Sequence, residues 1–376
     1  MEVPYYLAHY LVNNFQTDPE VKHLVDNCEI WIVPVVNPDG YVYTWTKDRL
    51  WRKNRRDNGN GMFGVDLNRN YGYMWGLNDS SSGNRSAWNY RGPSTFSEPE
   101  TQAIRDLILA NEFRMTMSYH SYGQLLYSPW GYTLDTCPDN LPMNSMIYHM
   151  KDLIQETSGA VYIPWAEWDE KYPVSGDTGD WPYGVLGIYS FGAELRPETE
   201  AQGGFVLPEN QILPTCEENL PAAHYLISLA AANGGIENLT AGKTYGSIQL
   251  AVNDANDGDQ IVIEPGIYNE NILFKGRNLI LRSKDPSDPT VVETTVIQGD
   301  NRWPTATFSS GEDENFVLDG LTIISDGSSC ISCYGSSPPI SRCTIINHTG
   351  FALDLHSGSV CLSSVSGTTV TSHLTL

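Results

Sequence analysis

The amino-acid sequence changes character near residue 232, and this change limits the folds open to the chain. Before it, apolar segments with helical periodicity alternate with short apolar runs typical of buried strands. After a Gly-rich join, "NGGIENLTAGKTYGS", the residues are mainly Ser, Thr, Gly, Asn, Ile and Val, and helical patterns fade past "IQLAVNDA". A chain of 376 residues is long enough for two domains. We therefore predict domains at residues 1–232 and 239–376.

The first region has the pattern of an α/β domain. The segments "VPYYLAHYLVNNF", "FSEPETQAIRDLILA" and "NLPAAHYLISLAAA" predict helices, and the second begins with a capping box, Ser97-x-x-Glu100. "CEIWIVPVVNPDGY" predicts a buried strand followed by a turn. "FRMTMSYHSYG" and "GIYSFGAELR" predict two more strands. Helices interleaved with buried strands indicate a sheet covered by helices on both faces.

Short apolar triplets recur in the second region, in "QIVIEPG", "NLILRS", "GLTIIS" and "RCTIIN". The last two align at an offset of 22 residues, with residues 320–324 against 342–346. Such a period, with Gly, Asn and Ser at the corners, favours a parallel β-helix over the alternative, an ordinary β-sandwich. The acidic stretches "DANDGD", "KDPSDP" and "GEDEN" fall at turns, so we interpret them as solvated corners.

The charge balance excludes some partners. Asp and Glu number 45 against 22 Lys and Arg, a formal net charge of −23, which argues against nucleic acid or an anionic membrane surface. No apolar run reaches the about 18 residues of a membrane-spanning helix. Seven cysteines leave at least one thiol free. Four of them are irregularly spaced and are interpreted as small residues in a strand stack rather than a zinc site: Cys330, Cys333, Cys343 and Cys361.

Polar residues follow an apolar step in "GVDLNRNYGYMWG", residues 64–76. An arginine can bind a carboxylate through two parallel hydrogen bonds, and an adjacent asparagine adds an amide donor. Asn68 and Arg69 are therefore candidates for capturing a free carboxylate, the alternative being an exposed loop rich in turn-forming Asn. Other candidates lie at strand ends or in polar and Gly-rich loops: Arg52, His120, Tyr172 and Glu194.

These segments occur in a defined order: "VPVVNPDGY", "LWRKNRR", "DLNRNY", "SYHSYGQLLYSPWGY", "SGDTGDWPYG" and "YSFGAELRP". In that order they resemble the zinc metallocarboxypeptidase family of the pancreatic carboxypeptidase A/B type, over about residues 1–225. The resemblance implies a mixed eight-stranded sheet flanked by helices. It also implies one zinc ion and removal of C-terminal amino acids from peptides or proteins. An extracellular location is expected, with a signal peptide upstream of Met1.

The resemblance also implies roles for individual residues. His120 matches a zinc ligand, and Glu194 matches the general base that activates water. Arg52 matches the arginine that polarises the scissile carbonyl. Asn68 and Arg69 match the pair that grips the substrate's terminal carboxylate. The aromatic residues expected to contact the substrate are Tyr122 and Tyr172, the latter closing over it.

The stretch "SGDTGDW" matches part of the pocket for the substrate's terminal side chain. Gly179, two residues before Trp181, supplies neither an apolar wall nor a charge, so we expect a broad side-chain preference. Asp177 lies close enough in sequence to suggest tolerance of Lys or Arg. The alternative is that Asp177 and Asp180 are only turn residues.

The zinc pattern is incomplete in this sequence. The family draws two ligands from one H-x-x-E motif, and the sequence contains no such motif. The nearest pairs, His23-x-x-Asp26 and His149-x-x-Asp152, are interpreted as exposed helix faces far from His120. We expect the chain to be a fragment of a longer enzyme. The alternative is a non-catalytic relative that binds peptide C-termini.

The second region resembles the right-handed, pectate-lyase-like solenoids appended to secreted bacterial proteins. We interpret it as a binding or spacer module. The remaining alternative is a glycan-binding or glycan-cleaving protein whose function lies in this region.

Overall fold

The computed structural model describes residues 1–169, 171–231 and 235–356, and the backbone of 361–363. The chain divides into two compact units. The first comprises Met1–Lys22, Ile30–Asn140 and Ile147–His224, and the second comprises His23–Glu29, Leu141–Met146 and the residues from Tyr225 onward. The predicted boundary at residue 232, the start of the Gly-rich join and the last 13 residues of the chain, 364–376, lie outside the described residues. The two-domain division stays a prediction.

Among the described residues up to 230 there are seven α-helices and four strands. The helices are α1 (Glu2–Asn14), α2 (Pro19–Asn27), α3 (Pro38–Thr46), α4 (Pro99–Ala110), α5 (Asn140–Ser158), α6 (Asp180–Leu186) and α7 (Ile212–Ala230). The strands are β1 (Met115–Ser121), β2 (Leu125–Tyr127), β3 (Ile163–Pro164) and β4 (Tyr189–Leu195). The predicted helices in α1, α4 and α7 and the predicted strands in β1 and β4 are confirmed. Among the described helices, none combines the length and the apolar character needed to cross a bilayer.

The four strands form one mixed sheet in the order β1-β4-β2-β3. β1 and β4 are parallel, and β2 runs antiparallel to β4. The expected eight-stranded sheet is therefore wrong for the described residues, although a mixed sheet with helices is present. The difference arises because a strand exists only where a neighbouring backbone completes its hydrogen-bond ladder.

The apolar run at residues 28–36 illustrates that requirement. It was expected to form a buried strand, but it belongs to no strand of the described chain. Trp31 is 48% exposed and Val33 is 39% exposed. The expected turn at "NPDG" is also wrong, because Asn37 caps α3 by accepting a hydrogen bond from the Gly40 amide at 3.0 Å.

The expected capping box at α4 does not form. The helix begins at Pro99, after Glu98 as the N-cap residue. The Ser97 hydroxyl instead donates to Glu98 Oε1 at 2.6 Å and accepts from Asn70 Nδ2 at 3.0 Å. Ser97 therefore links α4 to the segment that contains Asn68 and Arg69.

An aromatic core supports that segment. Tyr71 packs edge-on against Phe96 at 5.5 Å between ring centroids, and Phe96 packs against Trp181 at 5.2 Å. Ile108 of α4 and Ile188 complete the buried cluster. Because Tyr71 follows Asn70 and Trp181 lies in α6, this core fixes residues 67–71 relative to the start of α6.

The second unit consists mainly of short strands. Its elements after α7 are β5 (Ile236–Asn238), β6 (Lys243–Tyr245), α8 (Ile248–Asp254), β7 (Gln260–Ile263), β8 (Gly266–Asn269), β9 (Ile272–Leu273), β10 (Ile280–Ser283), α9 (Pro289–Thr294), β11 (Thr295–Gln298), β12 (Ala306–Phe308), β13 (Val317–Asp319), β14 (Thr322–Ser325), β15 (Ile331–Tyr334), β16 (Pro339–Ser341), β17 (Thr344–Asn347), β18 (Leu353–His356) and β19 (Cys361–Ser363). Helix α9 contradicts the expectation that no helix follows α8.

These strands form three sheets, with orders β19-β16-β13-β10-β7-β5-β6, β17-β14-β11-β8 and β18-β15-β12-β9. From β7 onward, each strand pairs in parallel with the strand three positions later. The 22-residue offset in the sequence is a true register, since Thr322 pairs with Thr344 and Ile324 with Ile346. Most earlier pairs are spaced more widely, for example by 37 residues between Ile280 and Val317, because α9 and other insertions lie between them. Gln260 and Ile280 are 20 residues apart.

The interpretation of the acidic stretches as solvated corners is wrong for several residues. Glu312 is 1% exposed and accepts hydrogen bonds from the Gly276 amide at 2.7 Å and the Ser336 hydroxyl at 2.7 Å. Asp259 is 6% exposed and accepts from Asn238 Nδ2 at 2.9 Å. These carboxylates hold corners together because buried donors need acceptors.

The cysteines of the second unit are consistent with packing residues. Cys330, Cys333 and Cys343 are buried free thiols. The side chain of Cys361 lies outside the described residues.

A core substitution in the second unit should be costly. Phe274, Phe308 and Phe316 are each 0% exposed, and Phe274 stacks on Phe308 at 4.4 Å between ring centroids. We expect Phe308→Ala to lower the free energy of unfolding by about 3–5 kcal/mol, because a cavity replaces a buried ring. Urea unfolding of the full chain followed by circular dichroism measures this. Ile267→Ala is the control, since Ile267 is 67% exposed; equal stability of the two variants would contradict the prediction.

Candidate active site

The candidate residues of the first unit line one cavity of about 520 Å³. It lies beside the carboxyl ends of β1 and β4 and the loops around residues 67–69, 121–131 and 172–180. All nine residues singled out in the sequence line it: Arg52, Asn68, Arg69, His120, Tyr122, Tyr172, Asp177, Gly179 and Glu194. Arg52 and Glu194, which are 142 residues apart in the sequence, thus line the same cavity.

The strands β1 and β4 place His120 beside Glu194. The two residues are directly paired in the parallel register. His120 Nε2 is hydrogen-bonded to the Ser118 hydroxyl at 2.8 Å. Burial, together with the positive charges of Arg52 and Arg69, lowers the pKa of His120 to about 4. The imidazole is therefore neutral at neutral pH.

Glu194 carries an unsatisfied oxygen. Its Oε2 is buried and has no hydrogen-bond partner among the described residues. Burial raises the pKa of Glu194 to about 7, while the charges of Arg52 and Arg69 oppose the rise. A carboxyl group with such a pKa can both accept and release a proton near neutral pH.

Arg52 is oriented by a buried aspartate. Its Nε donates to Asp66 Oδ2 at 2.9 Å, and Asp66 is 2% exposed. Burial lowers the pKa of Arg52, but the charge and hydrogen bond of Asp66 outweigh that effect and leave the pKa raised. The terminal nitrogens of Arg52 have no hydrogen-bond partner among the described residues, and the side chain is 41% exposed. They are available to a ligand.

Asn68 and Arg69 lie in a single 3-10 turn, Leu67–Arg69. The Asn68 carbonyl oxygen Oδ1 accepts from the Thr178 amide at 2.9 Å, which leaves Nδ2 without a described partner. Arg69 donates from Nε to the Ser80 carbonyl at 3.2 Å and from Nη1 to the Asn68 carbonyl at 2.6 Å. Its Nη2 has no described partner. Hydrogen bonds thus hold both side chains in place, while Asn68 Nδ2 and Arg69 Nη2 have no described partner.

Aromatic side chains line the more exposed part of the cavity. Tyr172 is 55% exposed and contacts Trp165 and Trp168, each at 6.2 Å between ring centroids. Tyr122 packs edge-on against Phe205 at 4.7 Å. Both tyrosines line the cavity.

Asp177, Gly179 and Asp180 form the start of α6 and one wall of the cavity. Asp177 Oδ1 accepts from the amides of Gly179 at 2.7 Å and Asp180 at 2.8 Å. The Asp180 carboxylate accepts from the amides of Gly131 and Tyr132, each at 2.8 Å. Burial and the charge of Asp177 raise the pKa of Asp180 to about 8. The turn interpretation thus fits Asp177 Oδ1, whereas both oxygens of Asp180 bind a distant segment, residues 131–132.

The described residues do not complete a catalytic zinc site. Such a site uses three protein ligands and one open position. Neutral His120 is a suitable ligand, and its Nδ1 has no described hydrogen-bond partner. Yet the described residues contain no group of three or more His, Cys, Asp or Glu side chains placed to hold a metal. No chemical step that involves zinc follows from the described residues.

The two sequence pairs considered as other ligands do not enter the site. Neither His23 and Asp26 nor His149 and Asp152 line the cavity. The interpretation of the second pair as an exposed face is wrong, because both residues of that pair are partly buried within α5.

Sequence reasoning missed four residues that shape the cavity: Asp66, Ser118, Tyr127 and Trp130. Asp66 stands directly before the "LNRN" segment, and its place at the end of an apolar step was the signal available. Tyr127 fits because it faces Gly192, where a Cβ atom would lie 2.2 Å from the ring. No local pattern in the sequence indicates that pairing, since the two residues lie on different strands.

Comparison with known proteins matches residues 2–222, more than half of the chain, to the family described as zinc carboxypeptidase. Zinc carboxypeptidase A 1 of Anopheles gambiae is 34% identical, over 60% of this chain and 53% of that protein. Human mast cell carboxypeptidase A is 38% identical, over 54% of this chain and 49% of that protein. The chain thus spans about half the length of these two curated relatives.

The solved structures agree with this assignment. Thrombin activatable fibrinolysis inhibitor superposes with a TM-score of 0.56 and 31% identity, over 60% of this chain and 57% of that chain. Carboxypeptidase A of Helicoverpa armigera superposes with a TM-score of 0.52 and 29% identity, over 60% of this chain and 56% of that chain. The first unit therefore has a carboxypeptidase-like α/β fold. Together with the match over residues 2–222, this establishes that the chain belongs to the zinc carboxypeptidase family.

Proposed function

We propose that the cavity binds the free C-terminus of a peptide and that the protein is a metallocarboxypeptidase, which removes the terminal amino acid. One observation carries this proposal. Arg69 Nη2 and Asn68 Nδ2 are donors without described partners, and they share a cavity with the unpaired Oε2 of Glu194. Donors that fit a carboxylate therefore lie beside an acid that fits a proton-transfer role.

The terminal carboxylate of the substrate binds to Arg69 and Asn68. Arg69 is 5% exposed and held by two carbonyl oxygens, so little side-chain entropy is lost when it binds an anion. Asn68 is oriented by the Thr178 amide, which directs its own amide donor to the same anion. Tyr122 and Tyr172 border the bound residue.

Arg52 donates to the oxygen of the scissile carbonyl. The bond to Asp66 fixes the guanidinium before substrate arrives, and its terminal nitrogens stay available. Negative charge develops on that oxygen when water adds to the carbonyl carbon. A donor placed in advance stabilises this charge without reorganisation.

Glu194 moves the proton. Its carboxylate takes a proton from the attacking water as the new C–O bond forms. The same carboxyl group then delivers that proton to the leaving nitrogen as the C–N bond breaks. The products are the shortened peptide and a free amino acid, and no proton is gained or lost by the enzyme.

The family assignment implies zinc, and His120 is the ligand that we propose from this chain. The remaining ligands are not among the described residues. Hydrolysis therefore depends on a metal site that the described side chains leave incomplete. Binding of the peptide C-terminus does not depend on it.

We also propose that residues 239–376 form a right-handed parallel β-helix that serves as a binding or spacer module. The three sheets, in which the strands from β7 onward pair in parallel, and the 22-residue register over the last strands support this proposal. An extracellular location with an upstream signal peptide stays a prediction from the sequence. The alternative that this region binds glycans also stays a prediction. Binding of residues 239–376 to a glycan array would support it.

A change at Arg69 should reduce discrimination between a free C-terminus and its amide. We expect the wild-type chain to bind a peptide acid about 10- to 100-fold more tightly than the same peptide amide, because the amide lacks the charge that Arg69 and Asn68 recognise. In Arg69→Lys this ratio should fall several-fold, since lysine lacks the planar fork. Isothermal titration calorimetry measures both affinities.

Arg105→Lys is the matched control for Arg69→Lys. Arg105 lies on α4 outside the cavity and pairs with Asp106. Equal affinity of the wild-type chain for acid and amide would reject the carboxylate clamp.

Loss of Arg52 should slow hydrolysis more than binding. With zinc well above its dissociation constant, we expect Arg52→Ala to lower kcat for release of the terminal amino acid about 100- to 1,000-fold. Glu194→Gln should lower kcat about 100-fold or more, because it removes the proton acceptor. Released amino acid is quantified by mass spectrometry. Arg55→Ala is the control, since Arg55 packs on the rings of Tyr43 and Trp51 outside the cavity.

Near-normal turnover in Arg52→Ala would reject its role. Tight peptide binding without release at any zinc concentration would favour the non-catalytic binder instead.

Zinc should bind this chain weakly. With one histidine in place of three ligands, we expect a dissociation constant of about 1 μM or weaker, weakened further by His120→Ala. Competition with a chromogenic chelator measures it. Nanomolar affinity that disappears in His120→Ala would show that the described residues do form a zinc site.

A further inference from the structure

We propose that Asn60 is a site of spontaneous covalent modification, at which the side-chain amide is lost as ammonia and aspartate or isoaspartate forms. Three asparagines of the chain are followed by glycine: Asn58, Asn60 and Asn233. Asn233 lies outside the described residues. The other two lie in one short hairpin, in which Asp57 and Phe63 pair in antiparallel fashion. The inference goes beyond the proposed function and does not depend on it.

The reaction needs only water. The backbone nitrogen of Gly61 attacks Cγ of Asn60, and the new N–Cγ bond forms as the Cγ–Nδ2 bond breaks. Ammonia leaves with the proton that the Gly61 nitrogen loses, and a succinimide ring remains. Water then opens the ring at either carbonyl carbon, and the ring nitrogen takes up a proton as its bond to that carbon breaks. Opening at Cγ yields aspartate, and opening at the main-chain carbonyl yields isoaspartate.

No hydrogen bond holds the reacting groups of this pair. The Asn60 side chain is exposed and has no hydrogen-bond partner among the described residues. The Gly61 amide, which is the nucleophile, has no acceptor in the described part of the chain. A Cβ atom built at Gly61 would meet nothing within 4 Å, so there is room for the ring to close and for water to enter.

The backbone of this turn has a conformation that suits glycine better than asparagine. φ is +55° at Asn60 and +73° at Gly61, and the Met62 amide donates to the Gly59 carbonyl at 3.1 Å. Positive φ at both central residues is typical of a type I′ turn. The Cβ atom of an asparagine crowds the backbone there, whereas glycine has none. Isoaspartate lengthens the main chain by one atom, so the product is not confined to this conformation.

Asn58 is held at each group that the same reaction would use. It is 8% exposed, and its Nδ2 donates to the Gly64 carbonyl at 3.1 Å. The nucleophile in this case, the Gly59 amide, donates to Asp57 Oδ1 at 2.8 Å. The Asn58 carbonyl accepts from Arg85 Nη1 at 3.3 Å. Ring closure at Asn58 therefore requires the hairpin to open, and its rate falls with the fraction of molecules that are open.

The stem of the hairpin lies between this turn and the cavity. The Gly64 amide donates to the Arg56 carbonyl at 2.8 Å, and the Asn54 amide donates to the Val65 carbonyl at 3.0 Å. The modified residue is outside these pairs. We therefore expect the chain to stay folded after the reaction, with a carboxylate in place of a neutral amide at the exposed turn.

Water labelled with heavy oxygen measures the reaction in the folded chain. The full chain is incubated in labelled water without peptide or metal, returned to ordinary water and digested with trypsin. Residues 57–69 form one tryptic peptide that contains both asparagines, and its fragment masses locate the label. Only product that formed in the folded chain carries heavy oxygen. We expect the label to enter at Asn60 about 10-fold or more faster than at Asn58, because the hairpin protects Asn58.

The unfolded chain is the matched control. In guanidinium chloride neither asparagine is held by the hairpin, so we expect the two rates to differ by less than about threefold. Asn60→Gly is the control variant, since glycine keeps the positive φ and carries no side-chain amide. Its folded form should take up almost no label in residues 57–69.

Three results would overturn the inference. The first is equal rates at Asn58 and Asn60 in the folded chain. The second is no label at Asn60 after a period in which the unfolded chain has reacted completely. The third is a preference for Asn60 that persists unchanged in guanidinium chloride, because the local sequence rather than the hairpin would then be its cause. None of these measurements requires the variant to fold.

Discussion

The candidate site depends on one buried carboxylate, that of Asp66. One oxygen holds the Arg52 guanidinium at 2.9 Å, and the other accepts the Asn68 amide at 3.1 Å, which shapes the 3-10 turn that carries Arg69. Because Asp66 is 2% exposed, removal of Arg52 would leave the carboxylate charge buried and uncompensated. The same residue therefore orients both arginines of the cavity, through a side chain in one case and through the backbone in the other.

An unpaired polar group in the first unit is informative when it is compared with buried acids whose oxygens are hydrogen-bonded. Glu98 is 1% exposed and receives hydrogen bonds from Arg56, Asn54 and Ser97. Glu218 is 0% exposed and receives them from Arg196, Tyr162 and Ser158. These acids are saturated because desolvation of a carboxylate is costly without donors. Glu194 Oε2 departs from this pattern, and Glu194 lines the cavity. A buried carboxylate oxygen without a donor beside a cavity indicates a site prepared for a ligand.

The sequence predicts what its local patterns determine. Helix α1 and strands β1 and β4 follow from periodicity, and the register of Thr322 with Thr344 follows from the repeat because parallel strands stack at a fixed spacing. Residues 28–36 could not be predicted correctly, since an apolar run forms a strand only if another backbone pairs with it. The role of Asp66 and the unpaired oxygen of Glu194 arise from contacts between distant segments, which no local pattern encodes. The motif order located the cavity residues, but only the structure reveals which of their atoms remain available.

The distribution of charge in the cavity restricts how a peptide can bind. The cations Arg52 and Arg69 are anchored by Asp66 and by backbone carbonyls, so the protein holds each guanidinium in place. A peptide carboxylate placed near Asp177 or Glu194 would meet like charge in a desolvated setting, where repulsion is poorly screened. At Arg69 it meets two unpaired donors instead. In the proposed binding mode, that orientation directs the last peptide bond toward Arg52 and Glu194. Selection for a free C-terminus and placement of the reacting bond would then have the same electrostatic cause.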